Sequence, residues 1–474
     1  MKLQTLTPSE PRASYYNIDP AVLKMRAAQL PGMRGVRIAD LFPDSPRPIT
    51  TESADAIRER VKADTLEQLK GVDLRRIQPD DSVNILASHH GFSIFGGEAY
   101  AEMIRTIRDE VQRRCGTSAV RLLVGVGMRF REAEEYIKKF ELDRFFKGQA
   151  WGICPVDEGV PIPTEIGTLY GIRRAYSAQW IIHTHNNDVR ELHYHRQIGR
   201  SFKPFAMSYA TIETRSSYHQ SMGPRSSNLL PRMIFESAFV QEKFVASAIL
   251  QVAPTGTIGV SVSNDLQQQD AEFTRLNLHW YGKILTLLGK IPDAVLIIDY
   301  PGPIPYTTAG GILFGNFLNA NVDEFDLDVP FPPFNRYTDM LYPGDSPLYQ
   351  GELPPPNPAI KALVINYCSK GYPGTFFAQQ LPTLVVGPQA DLFAGCEQNT
   401  TFMDYAVKVK DLPQGIGFAR RFGKTANMLV FDGAIGGFNV TEALAEKLHE
   451  LAPQVSREVD EVLMPHWLKQ RGLA

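Results

Sequence analysis

Val83-Asn84-Ile85-Leu86-Ala87-Ser88-His89-His90 reads as a short aliphatic strand that runs directly into a polar, histidine-bearing turn. A helical stretch near Glu98 to Arg114 follows, with Tyr100, Met103, Ile104, Ile107 and Val111 on one stripe and Arg105, Arg108, Asp109 and Gln112 outside it. Val120 to Val126 is then a second strand, and Arg131 to Phe146 a second helical stretch. This alternation predicts a parallel sheet covered by helices. Ligands of such sheets gather beyond the carboxyl ends of the strands, which directs attention to Ser88-His89-His90-Gly91 and Gly127-Met128-Arg129. A third strand, expected at Gln179 to Ile182, runs into His183-Thr184-His185-Asn186-Asn187-Asp188.

Further along, strands are expected at Ala294 to Ile298, Ala362 to Ile365, Thr383 to Val386 and Asn427 to Phe431, and an amphipathic helix over Thr441 to Lys469. The fold class is therefore α/β in two domains: residues 1–272 carrying the histidines, and residues 273–474 forming a second α/β domain. Residues 329–358, rich in proline and interleaved with Tyr337, Tyr342 and Tyr349, are expected to form a long loop or lid. Gly423-Lys424-Thr425 is not a phosphate loop, because Gly417 is one residue too far away for that motif.

The chain of 474 residues has 49 basic and 52 acidic side chains, a net charge of only -3. That balance argues against a general affinity for nucleic acid or an anionic membrane and favours a small metabolite as partner. Four scattered cysteines, Cys115, Cys154, Cys368 and Cys396, suggest neither a disulfide framework nor a thiolate zinc site. With no apolar run of membrane-spanning or signal-peptide length, a soluble, cytoplasmic protein is the expectation.

Five of the ten histidines fall between residues 183 and 219. His183 with His185, and His193 with His195, are two-residue repeats that put both rings of a pair on one face of an extended chain, a geometry suited to a metal. One reading is a zinc hydrolase in which these four bind metal and Asp188 assists a bound water. Arg190, Arg196, Arg200 and Lys203 concentrate positive charge in the same stretch, suiting a phosphate or carboxylate.

The order Glu191-Leu192-His193, then Gly199-Arg200-Ser201-Phe202-Lys203-Pro204, then His219 after Ala210-Thr211-Ile212, resembles the nickel-dependent lactate racemases and their homologues. The resemblance implies that His193 is a proton-transfer base, that Lys203 is covalently joined to a nickel-pincer nucleotide, and that His219 is the protein ligand to nickel. It further implies racemisation or epimerisation of an α-hydroxy acid by reversible hydride transfer, and cofactor-synthesis proteins as partners. The chain departs from that family in two places. Ser88-His89-His90-Gly91-Phe92-Ser93 replaces a Ser-Asp-x-Thr-Arg-Pro stretch, and Arg129 stands where a second catalytic histidine is expected. His89 or His90 as the replacement acid/base, with Arg129 pairing the substrate carboxylate, reconciles both losses. The substrate is then not simply lactate; a longer polyhydroxy acid is one option, and a non-catalytic cofactor-binding homologue is a third reading.

Overall fold

A computed structural model describes residues 4–7, 18–49, 53–92, 96–126, 132–187, 189, 198–221, 223, 225–300, 323, 325–329, 357–368, 375–395 and 401–474. The first strands are β1 (Met33–Arg37), β2 (Val83–Ser88), β3 (Val120–Gly125), β4 (Ala150–Ile153), β5 (Gly159–Thr164), β6 (Gly167–Ile172), β7 (Trp180–Asn186), β8 (Phe244–Ala253) and β9 (Gly256–Ser263). The remainder are β10 (Ala294–Tyr300), β11 (Ile360–Cys368), β12 (Thr383–Val386), β13 (Val407–Val409), β14 (Met428–Phe431) and β15 (Gly437–Thr441). They form two α/β units. One comprises Arg47–Asp188 and Gln197–Asn277; the other comprises Met1–Pro46, Val189–Arg196 and Leu278–Ala474.

The first unit holds a six-stranded sheet in the order β4-β3-β2-β7-β8-β9, parallel except for the β8–β9 hairpin. Its central strand β2 is buried along its whole length, which is why Ile85, Leu86 and Ala87 follow one another without alternation. The crossover helix Gly97–Cys115 buries the stripe expected of it, Tyr100, Met103, Ile104, Ile107 and Val111. Each such side chain contributes roughly 1.5–3 kcal/mol. Gly116 then stops the helix in a left-handed conformation at φ 73, its N–H returning to the Gln112 carbonyl. The stretch expected as one helix over Arg131 to Phe146 is instead two, Glu132–Lys139 and Leu142–Phe145, parted by Glu141 at φ 50. Strand β7 extends through His183 and His185 to Asn186, because β2 and β8 hydrogen-bond it on both sides.

The second unit holds a seven-stranded sheet, β1-β15-β14-β10-β11-β12-β13, in which β10 to β14 are parallel. Residues up to 46 belong to it because β1 pairs antiparallel with β15 and Arg26 reaches the buried carboxylate of Asp299 at 3.0 Å. The terminal helical region runs as Glu442–Glu458, a wider-wound turn Val459–Leu463, and Met464–Gln470. Lys424 caps the carboxyl end of helix Leu412–Gly423 at φ 50, the opposite end from the one that cradles phosphate. Of the proline-rich segment, residues 330–356 lie outside the described residues. Among the described residues no helix is long and apolar enough to cross a membrane.

Candidate functional site at the carboxyl edge of the first sheet

Strands β2, β3 and β7 end side by side, and residues 198–221 return across those ends. Close approach is built into β3: a side-chain carbon on Gly125 would overlap the Ser208 carbonyl, so only glycine admits that backbone. Ser208 then donates to Ser88 Oγ at the end of β2, 2.8 Å away. The loop is pinned at its other end by Asp270, whose Oδ1 accepts from the Ser201 N–H at 2.9 Å. Burial pushes the Asp270 carboxyl up from its ordinary range, opposed by the Ser201 hydrogen bonds. Asn187 closes the edge by bonding Val252 through both ends of its amide and taking Asn277 as a further partner.

His183 lies at the centre of this edge, fully buried, and both ring nitrogens are committed. Nε2 lies 3.0 Å from the Ser201 carbonyl and Nδ1 lies 3.0 Å from Tyr209 Oη. A carbonyl only accepts, so Nε2 carries the proton and Nδ1 faces the phenol as a lone pair. Burial drives the imidazole down to about 3, so it stays neutral at physiological pH. With both ring nitrogens engaged in these bonds, His183 presents no free lone pair to a metal. Tyr209 Oη also lies 3.0 Å from the Leu86 carbonyl, so its one proton is shared between that oxygen and Nδ1, and Thr184 donates to the same carbonyl at 2.9 Å while bonding Tyr100 Oη at 2.7 Å. His185, two residues on, is buried with its ring 6.2 Å from His183.

His89 and His90 open the helical turn that follows β2, their rings 3.8 Å apart. His89 is buried, with Nε2 3.7 Å from Oε2 of Glu132, which starts helix Glu132–Lys139 after β3. Asn186 at the end of β7 donates to the His90 carbonyl at 3.3 Å. The edge therefore brings His89, His90, His183 and His185 to one set of strand ends.

Lys203 begins the helical turn Lys203–Ala206, two residues beyond the Ser201 carbonyl that holds His183, and only 4% of it is exposed. Linking the amine in an amide would remove the cost of burying a charge. His219 occupies the last turn of helix Ile212–Gln220 and is exposed. Its Nδ1 lies 2.7 Å from the Arg215 carbonyl, so Nδ1 is the protonated nitrogen. Arg215 ties that helix to the sheet edge by donating to the Val126 carbonyl at 2.8 Å, just past β3. Burial lowers its guanidinium to about 10. A buried amine and an imidazole with a fixed tautomer fit a tethered, nitrogen-ligated metal cofactor. His193, His195, Asp188 and Arg129 lie outside the described residues.

Tyr209, Tyr100, Ser208 and Asp270 complete the edge, and no spacing in the sequence singles them out. Elsewhere among the described residues, Asp326, Asp328 and His466 of the second unit bring ligand atoms within 4.8 Å of one another, but Gln470 already engages both carboxylates.

No protein-family model and no curated protein matches the chain by sequence. Among solved structures it is similar to the lactate racemase apoprotein from Thermoanaerobacterium thermosaccharolyticum, at 11% identity and a TM-score of 0.42, over 87% of this chain and 96% of the other. A likeness that slight transfers neither a residue role nor a reaction.

Proposed function

We propose that the chain is a racemase or epimerase of an α-hydroxy acid that uses a nickel-pincer nucleotide joined to Lys203. The observation that carries this reading is that Lys203 is buried two residues beyond the Ser201 carbonyl that holds His183, in a segment whose His193, Lys203 and His219 match the spacing of the lactate racemases. When bound, the cofactor supplies reversible hydride acceptance at the α-carbon. The chain's residues hold substrate and move protons. His193 takes the hydroxyl proton and returns it, Arg129 pairs with the carboxylate, and His89, oriented by Glu132, or His90 serves the opposite stereochemical course. His219 Nε2 is the nickel ligand. Proteins that build the cofactor are the implied partners.

The reaction is tested with α-deuterated hydroxy acids and cofactor-loaded protein. Interconversion of stereoisomers with the label kept on carbon supports hydride transfer. Loss of label to water indicates proton abstraction instead, and the absence of interconversion with any hydroxy acid favours a non-catalytic cofactor-binding protein. In the loaded enzyme, His89→Asn or His90→Asn is expected to slow interconversion about 100-fold or more; unchanged rates with both variants remove these histidines from the mechanism.

A further inference from the structure

Two patches, one in each unit, leave large apolar side chains in water. In the first unit, Val156, Tyr170 and Ile212 are 69%, 42% and 48% exposed. The backbone holds them together: the Ile212 N–H donates to the Pro155 carbonyl at 2.9 Å, and the Thr211 N–H to the Tyr170 carbonyl at 3.1 Å. Pro161, opposite Tyr170 in the β5–β6 register, lies on the same face of the hairpin. Asp157 and Glu213 adjoin Val156 and Ile212 in the chain, and Glu165 lies at the hairpin tip. None of these three carboxylates forms an ion pair among the described residues, whereas Glu158 is neutralised by Arg173 at 2.8 Å. This patch is apolar with an acidic rim.

In the second unit, helix Leu412–Gly423 buries Leu412, Ile416 and Ala419 and leaves Phe418 and Phe422 44% and 61% exposed. One turn apart, their rings stack at 6.3 Å, and the Arg421 guanidinium lies 6.0 Å from the centre of Phe418. Arg420, Arg421 and Lys424 form no ion pair among the described residues, whereas Lys361, packed on Gly423, is neutralised by Asp293 at 3.1 Å. This patch is aromatic with a basic rim. The preference of helix ends for charge accounts for Glu213 in a first turn and Arg421 in a last turn. It does not account for the exposed apolar side chains beside them.

Against a copy of itself each patch meets like charge; against the other it meets opposite charge and apolar surface. We propose that the apolar, acidic patch of one molecule docks on the aromatic, basic patch of a second copy of this chain, in a head-to-tail contact. Such a contact leaves one patch of each kind free, so assembly continues into a ring or a longer chain. The contact does not depend on the reaction proposed above. Sedimentation velocity of the full chain at ~100 µM in low salt should show species larger than the monomer. Tyr170→Ser with Ile212→Ser, and separately Phe418→Ser with Phe422→Ser, should each sediment as a monomer. An equimolar mixture of the two variants keeps one intact patch of each kind, on different molecules, and should form a dimer and nothing larger. A monomeric wild type, association that survives in either variant alone, or a mixture that stays monomeric overturns the proposal.

Discussion

At the scale of single residues, His183 behaves as a structural pillar rather than a reagent. Its folded pKa is about 3 against an ordinary 6.5, so the unfolded chain binds the extra proton and stability falls as pH drops below 6.5. The expected slope from this group is about 1.4 kcal/mol per pH unit below 6.5. Urea melts at pH 7 and pH 5 should show wild type losing ~2 kcal/mol more than His183→Gln; equal losses would mean that the ring titrates normally. The histidine-rich stretch and Lys203 stood out from sequence because they fall within one local segment. The commitments of His183 were not legible. Its partners Ser201 and Tyr209 stand 18 and 26 residues away, and a two-residue repeat does not reveal what lies opposite the ring.

At the scale of elements, the site exists because residues 207–210 pass against the end of β3. Gly125→Ala should drive Ser208 away, break its bond to Ser88 and cost about 2–4 kcal/mol. Gly152→Ala on β4, where the added carbon would meet Ala133 at 3.4 Å, is the matched control and should cost under ~1.5 kcal/mol. Denaturant midpoints decide between them, and equal effects would contradict the close packing at β3. Buried parallel strands such as β2 and β12 were visible from their short aliphatic stretches, Ile85 to Ala87 and Leu384 to Val386. The end of β7 was not, since His183, Thr184, His185 and Asn186 are polar residues buried by hydrogen bonds rather than by hydrophobicity. The β5–β6 hairpin was obscured by Pro161 and Pro163, which lower strand propensity but are tolerated in a two-stranded ribbon.

At the scale of the whole molecule, an N-terminal segment belongs to the second unit through the β1–β15 pairing and one buried charge. Asp299 takes Arg26, the Ala27 N–H and Asn366, and burial holds its carboxyl up at about 6. Arg26→Ala leaves that carboxylate buried without its guanidinium and should cost about 3–5 kcal/mol at pH 8. The cost should shrink at pH 5, where Asp299 is largely protonated. A loss that is the same at both pH values, read from chemical denaturation, would show that packing rather than charge anchors the segment. The functional claim rests on Lys203, and intact mass spectrometry of the full chain made alongside the cofactor-synthesis proteins tests it most directly. The expected result is a covalent nucleotide adduct on wild type that is absent from Lys203→Ala. An unmodified wild-type mass, under conditions that load a nickel-dependent lactate racemase, would contradict it.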